Sequence, residues 1–204
     1  MTTFYFVRHG ETEINRQRRF NGATVDSPLT KEGVAATERL AEELKEVPFD
    51  LVVASTQTRA KTTAEIILAH HNELDPSALT TDSRLIELNF GEWEGVDIDS
   101  VAAHPQFEHY MTRPDLFDAE SIGAETYASL LERTNDILEE LKEQYPDGTI
   151  LIVSHGIVLR TLLKTLQGIP LAKTREGAPF ANASVTIAHT EDDALVFDHW
   201  GLTF

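Results

Sequence analysis

The chain has 204 residues, 41% hydrophobic and 25% charged, the composition of a folded domain able to bury its own core. Its formal net charge of −17, from 17 basic and 34 acidic residues, argues against nucleic acid or an anionic membrane surface as a partner. The absence of cysteine excludes disulfides, thiolate nucleophiles and cysteine-ligated zinc. No run approaches the ~18 consecutive apolar residues of a membrane span, and the N-terminal MTTFYFVRHGE lacks the parts of a signal peptide, so a cytoplasmic protein is expected.

Thr3 to Val7 reads as a buried strand whose lack of alternation predicts cover on both faces. Residues 10–29 are polar and end in Asp26-Ser27-Pro28, which predicts a loop. Thr30 is a predicted N-cap for a helix with Ala36, Leu40, Leu44 and Val47 on one stripe, stopped by Pro48. Leu51 to Ala54 is a second apolar strand ending at Ser55-Thr56, followed by a helix from Thr58 to about His70. A short extended piece is expected within 79–88. Residues 89–124 carry scattered glycines, prolines and aromatics and read as an irregular insertion over the scaffold. An amphipathic helix is predicted over 125–144, a turn at Pro146-Asp147-Gly148, and a third apolar strand over Thr149 to Val153 ending at Ser154-His155-Gly156. A helix over 157–167 and a hairpin of 183–188 with 194–199 around Glu191-Asp192-Asp193 close the chain. Alternating strands and helices predict an α/β fold: a mostly parallel central sheet with helices on both faces, in one domain spanning 1–204, with 89–124 as a cap-like insertion.

In such folds ligands bind outside the carboxyl ends of the strands. Here those ends are Arg8-His9-Gly10, Ser55-Thr56 with Arg59 one turn on, and Ser154-His155-Gly156. If the three strands are parallel neighbours, two histidines and two arginines meet at one edge. Arginine presents planar forks of donors suited to phosphate oxygens, glycine lets backbone approach a ligand, and a helix start after His155 adds N–H groups. A metal held by His9, His155 and a carboxylate is the competing chemistry. The flanking arginines repel a cation and attract an anion, so a phosphate or sulfate site is expected, without metal or cofactor.

The segment Arg-His-Gly-Glu-Thr-Glu-Ile-Asn, residues 8–15, resembles the signature of the histidine phosphatase superfamily, also called phosphoglycerate mutase-like. The likeness continues in order through Phe20-Asn21-Gly22, Asp26 to Thr30, Ala54-Ser55, Thr58-Arg59-Ala60 and Thr62 to Glu65. It runs on through Leu85 to Gly95, Val153 to Gly156 and Asn182 to Val185. Four residues, Gly22 to Val25, precede Asp26, one more than the usual spacing, and Ile14 stands where an aromatic is common. The resemblance implies a two-step phosphoryl transfer. His9 would be the nucleophile, and Arg8, Arg59 and His155 would hold the phosphoryl oxygens. Asn15, Asn21, Gly22 and Gly156 would add contacts, with Glu87 as general acid, then base. These roles also stand on general chemistry: covalent catalysis divides one hard displacement into two, and fixed arginines stabilise phosphoryl transfer electrostatically. Glu11 sits too close in sequence to the nucleophile to reach an ester oxygen, and Glu92 and Glu94 read as solvated.

Leu88-Asn89-Phe90-Gly91 after Glu87 resembles the phosphatase branch, so the expected activity is hydrolysis of a small phosphorylated metabolite. A cofactor-dependent phosphoglycerate mutase and a non-catalytic phospho-ligand binder are the alternatives. The aromatics Phe90, Trp93, Phe107, Tyr110 and Phe117 either face the leaving group or form the insertion's own core. Arg16, Arg18 and Arg19 either rim the pocket or are solvated. Neither the substrate nor the oligomeric state is legible.

Overall fold

The computed structural model describes residues 1–192 and 194–204. Among them one sheet has the strand order β3-β2-β4-β1-β5-β6, built from β1 (Thr3–Arg8), β2 (Leu51–Ser55), β3 (Leu79–Asp82), β4 (Thr149–Ser154), β5 (Val185–Glu191) and β6 (Ala194–Leu202). The first four pair in parallel; β5 runs antiparallel to β1 and pairs with β6 as a hairpin. Asp193, assigned to the hairpin turn on sequence grounds, lies outside the described residues.

Both faces of the sheet are covered, as the apolar strands require. Phe4, Phe6, Ile150 and Ile152 pack with helices α5 (Tyr127–Gln144) and α6 (Gly156–Leu166) through Ile137, Leu138, Leu159 and Leu163. On the other face Val7, Val52, Ala54 and Val153 pack with α2 (Lys31–Leu44) and α3 (Thr58–His70) through Leu40, Leu44, Ala64 and Ile67. The chain leaving β1 therefore turns to one face and the chain leaving β4 to the other. That divergence between adjacent strands opens a crevice at their carboxyl ends.

Register places the strand ends level: Val7 pairs with Val153, Ala54 pairs with Val153, and Arg8 pairs with Ser154. Residues 10–29 are not all loop. Thr12 caps a short helix α1 (Glu13–Arg16): its side chain accepts from the Asn15 N–H while Asn15 returns an acceptor to the Thr12 N–H. Thr30 caps α2 as expected, accepting from the Gly33 N–H at 2.9 Å, but α2 ends at Leu44, before Val47. The strand expected from residue 183 begins at Val185, because Ala183 takes a positive φ of 54°. The 89–124 insertion is more regular than its composition suggests. It holds helix α4 (Pro105–Thr112), with proline at the first position, and several single 3₁₀ turns.

Segment 89–124 shares a small core with the rest of the chain, in which its Phe90, Trp93, Tyr110 and Ile122 are buried with Phe20, Leu88, Tyr127, Leu130 and Val158, and Phe107 and Phe117 pack against them. Trp93 touches His104, Phe107, Tyr110 and Phe117 with ring centroids 5.3–6.3 Å apart. No helix among the described residues is long and apolar enough to cross a membrane.

Candidate active site

A cavity of about 420 Å³ opens at the carboxyl edge between β1 and β4. Its inner wall carries Arg8, His9, Asn15, Asn21, Glu87 and Gly156; its outer wall includes Phe90, Tyr110 and Met111 of the insertion, with Arg175 from the chain beyond α6.

His9 is 2% exposed, and its Nδ1 lies 2.7 Å from the Gly10 carbonyl. A carbonyl can only accept, so Nδ1 carries the hydrogen and Nε2 keeps its lone pair. Burial first, then the charges of Arg59 and Arg8, push the His9 pKa well below the ordinary histidine range, so the ring is neutral. Its backbone is fixed on three sides: its N–H donates to Ser154, and its carbonyl accepts from Asn182 Nδ2 and the Ala183 N–H.

His155 lies behind His9, with ring centroids 5.1 Å apart. Arg59 Nε donates to its Nδ1 at 3.2 Å, so Nε2 bears the hydrogen and donates to Ser55 Oγ at 2.8 Å. Burial and the charge of Arg59 lower its pKa well below the usual value. The polar end of β2 is thus divided: Ser55 holds His155, while Thr56 is exposed and away from the cavity.

Arg59 is 0% exposed, and each of its five N–H groups has a protein partner. Besides His155 these are the carbonyls of Asn21, Gly22 and Val25, at 2.9–3.0 Å, and Asp26 Oδ1 at 3.1 Å. Asp26 also accepts the Thr58 N–H at 2.6 Å, capping α3 from a distant loop where the local N-cap residue Gln57 makes no side-chain cap. Arg59 and His155 therefore stand behind the cavity wall rather than on it, and so does Gly22. At Gly22 a Cβ would lie 2.1 Å from Glu94 Oε1 and 2.6 Å from the Leu88 carbonyl, so this glycine serves close packing.

Arg8 donates through Nη1 to the Phe180 carbonyl, while its buried Nε has no partner. A Cβ on Gly156 would come within 3.1 Å of that Nε, so the glycine makes room for the guanidinium. Asn15 Oδ1 accepts from Thr12; its amide nitrogen has no partner among the described residues and the side chain lines the cavity. Asn21 lines it too, donating to Thr12 Oγ1, with its own buried Oδ1 unpaired.

Glu87 is 5% exposed and held by backbone alone: Oε1 accepts from Leu88 and Val158 at 2.9 and 3.1 Å, and Oε2 from Ile157 at 3.1 Å. Two of these donors, Ile157 and Val158, lie in the first turn of α6, whose N–H groups have no partner within the helix. Oε2, with a single backbone bond, is the freer oxygen. Glu11 is engaged with Thr30, accepting from its hydroxyl at 2.8 Å. Glu92 is exposed as expected, but Glu94 is not a solvated residue. It accepts from the Ala23 and Phe90 N–H groups at 2.8 and 2.9 Å, and its Oε2 is buried.

Two positioning residues escaped the sequence reading. Gln57 donates to the Gly22 carbonyl at 2.8 Å and accepts from the Glu87 N–H at 2.9 Å, joining the loop that grips Arg59 to the segment that carries the carboxylate. Arg133 donates to the Arg84 carbonyl and forms an ion pair with Glu125, bracing the same segment from α5. A lone glutamine at a helix start and an arginine on a charged helix carry no local signature, and only the fold shows what they touch. Of the three neighbouring arginines, Arg16 pairs with Glu13 and Glu32 and Arg18 with Asp99. Arg19 lines the cavity and has no ion pair among the described residues. Of the insertion's aromatics Phe90 and Tyr110 reach the cavity; Trp93, Phe107 and Phe117 belong to the shared core.

The four parallel strands gather two histidines, two arginines and a carboxylate at one edge, a set whose donors and charge suit an anion such as a phosphoryl group. Over residues 4–203 the sequence matches the Histidine phosphatase superfamily (branch 1), and the chain belongs to that family. It is 34% identical over 200 residues to the probable phosphoglycerate mutase GpmB of Escherichia coli O1:K1 / APEC, covering 98% of this chain and 90% of the relative. Among solved structures it is similar to Bacillus stearothermophilus YhfR, with a TM-score of 0.90 and 30% identity over 98% of this chain and 97% of the other. It is also similar to the phosphoserine phosphatase of Entamoeba histolytica in complex with 3-phosphoglyceric acid. There the TM-score is 0.86 and the identity 25%, over 100% and 98% of the two chains.

Proposed function

We propose that the chain is a metal-independent phosphatase acting on a small phosphomonoester through a phosphohistidine on His9. The observation that carries this reading is the state of His9: neutral, its Nδ1 hydrogen held by Gly10, its Nε2 lone pair free beside Arg8. Nε2 attacks phosphorus, the P–O bond to the alcohol breaks, and Glu87 delivers its proton to the departing oxygen. Water then attacks phosphorus, Glu87 takes a proton from it, and the P–N bond breaks to release phosphate and restore both groups. Oε2 of Glu87 is the oxygen that moves the proton, while the backbone bonds to Oε1 hold the carboxylate in place.

Arg8 donates to the phosphoryl group through its guanidinium, whose Nη2 has no partner among the described residues, and the Asn15 amide adds a donor. Arg59 contributes its charge from behind the wall, and a direct bond from it to a phosphoryl oxygen requires it to release a loop carbonyl. His155 keeps Arg59 and His9 in register. Every group this chemistry needs is a side chain of the protein, and the guanidinium groups supply the positive charge that phosphoryl transfer requires.

The name of the Escherichia coli relative favours a second reading, phosphoglycerate mutase. The two separate in one assay: purified protein given 3-phosphoglycerate without 2,3-bisphosphoglycerate releases inorganic phosphate if it is a phosphatase. Conversion to 2-phosphoglycerate without release would reverse the assignment. Activity is expected to survive a strong chelator, and its loss on metal removal would sink the metal-free mechanism.

A further inference from the structure

The chemistry proposed above uses the inner wall of the cavity and leaves one half-buried cation of the outer wall, Arg175, without a task. Arg175 lies on the connection between α6 and β5, just after the 3₁₀ turn Leu171–Lys173. Its guanidinium carbon sits 4.4 Å over the centroid of the Tyr110 ring, and Nη2 is 3.7 Å from Met111 Sδ. Its Nε is buried without a hydrogen-bond partner, and no carboxylate pairs with it among the described residues. A ring face and a thioether hold an arginine in place but do not neutralise it. In a chain with twice as many acidic as basic residues, a cavity-lining arginine with no ion pair among the described residues is available to an anionic ligand, although it lies within the field of Glu87.

The mount beneath it is rigid. Arg160, 6% exposed on α6, donates to the carbonyls of Thr174 at 2.9 Å, Glu176 at 3.0 Å, Gly177 at 2.7 Å and Arg175 itself. Nε and Nη2 of Arg160 are therefore committed to backbone, while its Nη1 has no partner among the described residues, so any part it takes in binding is through Nη1 on the side next to Arg175. Gly177, with φ at 77°, lets the segment turn back after this grip. A second unpaired donor lies within the field of Arg175: the hydroxyl of Tyr127, a residue 3% exposed, which burial keeps protonated.

The contacts of Arg175 are with the insertion, whereas those of His9 and Arg8 are with the sheet edge, so the two sets are separate parts of one cavity. The same lining also includes the apolar side chains of Phe90, Ile98 and Ile157. A cavity of about 420 Å³ suits a small molecule. From this we infer that Arg175 is a specificity-determining residue that binds a second anionic group, carboxylate or phosphate, on the alcohol half of the substrate, so that phosphomonoesters of small acidic alcohols are preferred over neutral ones. The inference rests on the phosphatase reading. Arg19, exposed at the cavity and unpaired, adds positive charge without a fixed geometry.

Matched substrates test it. 3-Phosphoglycerate and glycerol 3-phosphate differ only in a carboxylate against a hydroxymethyl group; glycerol 1,3-bisphosphate carries phosphate as the second anion. The wild-type protein is expected to favour one or both dianionic-type substrates in kcat/KM, and which one distinguishes a carboxylate site from a phosphate site. Arg175→Gln is expected to lower that preference roughly 10- to 100-fold, mainly through KM, the effect of losing a charge-assisted hydrogen bond. Arg175→Lys is expected to recover part of it. Inhibition by vanadate, which reports on the phosphoryl end, should move less than the preference does, and melting curves should show both variants folded. Equal losses on all three substrates, or a parallel loss of vanadate inhibition, would assign Arg175 to the phosphoryl group or to structure and overturn the inference. So would an unaltered preference in a folded Arg175→Gln. If the wild-type protein hydrolyses glycerol 3-phosphate, the phosphatase reading survives whichever way Arg175 behaves; if it hydrolyses no phosphomonoester, both fall.

Discussion

The two walls of the cavity are built by different means. On the inner side, Arg8 and His9 on the wall and Ser154 and Ser55 behind it sit at the ends of adjacent parallel strands, so backbone ladders set the spacing of the groups proposed to handle phosphorus. The outer wall is made of non-strand segments, 89–124 and 171–180, whose side chains are placed by aromatic packing and by Arg160's hold on carbonyls. The layer behind the inner wall is densely bonded: Arg59 alone meets five partners. The outer wall contributes no strand to the sheet, so its side chains are not tied to the strand register. The proposed chemistry on a rigid edge, with the proposed discrimination on loops, is the division this difference teaches.

That division can be broken at several points. His9→Ala should remove the phosphoenzyme and lower kcat/KM by at least about 10⁴-fold, the scale on which loss of a nucleophile is felt. The loss should be alike for every substrate, and a labelled phosphohistidine persisting in the variant would mean that another residue attacks. Glu87→Gln should cost roughly 10²- to 10⁴-fold with an alkyl phosphate. With p-nitrophenyl phosphate, whose leaving group needs little proton transfer, the loss should be much smaller; equal losses would argue against proton donation. Asp26→Asn removes the one carboxylate paired with buried Arg59 and weakens the cap of α3. It should destabilise the fold by about 2 kcal/mol in denaturant titration. It should also lower kcat/KM by roughly 10- to 100-fold on all substrates through misplacement of the edge. A change confined to one substrate would place the Asp26 loop on the discriminating side instead.

The smallest effect concerns pH. His9 and His155 are held neutral by burial and by the arginines, with pKa values well below the ordinary value. Below about pH 6.5 the unfolded chain therefore binds more protons than the folded one, and stability falls as pH drops from there towards the folded values. The denaturation midpoint should decline between about pH 7 and 5. His155→Gln should flatten that decline, and a slope identical to wild type would show that His155 does not drive it.

Much of this was legible in the chain. Three apolar runs ending in Arg-His-Gly, Ser-Thr and Ser-His-Gly announce a parallel sheet with an anion site at its edge, because strand ends and polar side chains are both local properties. Which side chains face the cavity was not legible. Arg59 and His155 look equivalent to Arg8 and His9 in the sequence, yet they stand one layer deeper, a consequence of how loop 21–26 folds over α3. Glu94 looked solvated because its partners, the N–H groups of Ala23 and Phe90, are backbone and leave no trace in residue identity. Arg175 carried no signal, since its meaning depends on Tyr110 being 65 residues earlier in the chain and directly beneath it.

Arg160 grips carbonyls, which every amino acid possesses, and not the side chains of the segment it restrains. The hold is therefore indifferent to what residues 175 and 176 are. The segment behaves as an exchangeable cassette on a permanent clamp: a single codon change at position 175 can present a new charge, ring or hydroxyl to the alcohol half of a substrate while the nucleophile and its arginines stay in place.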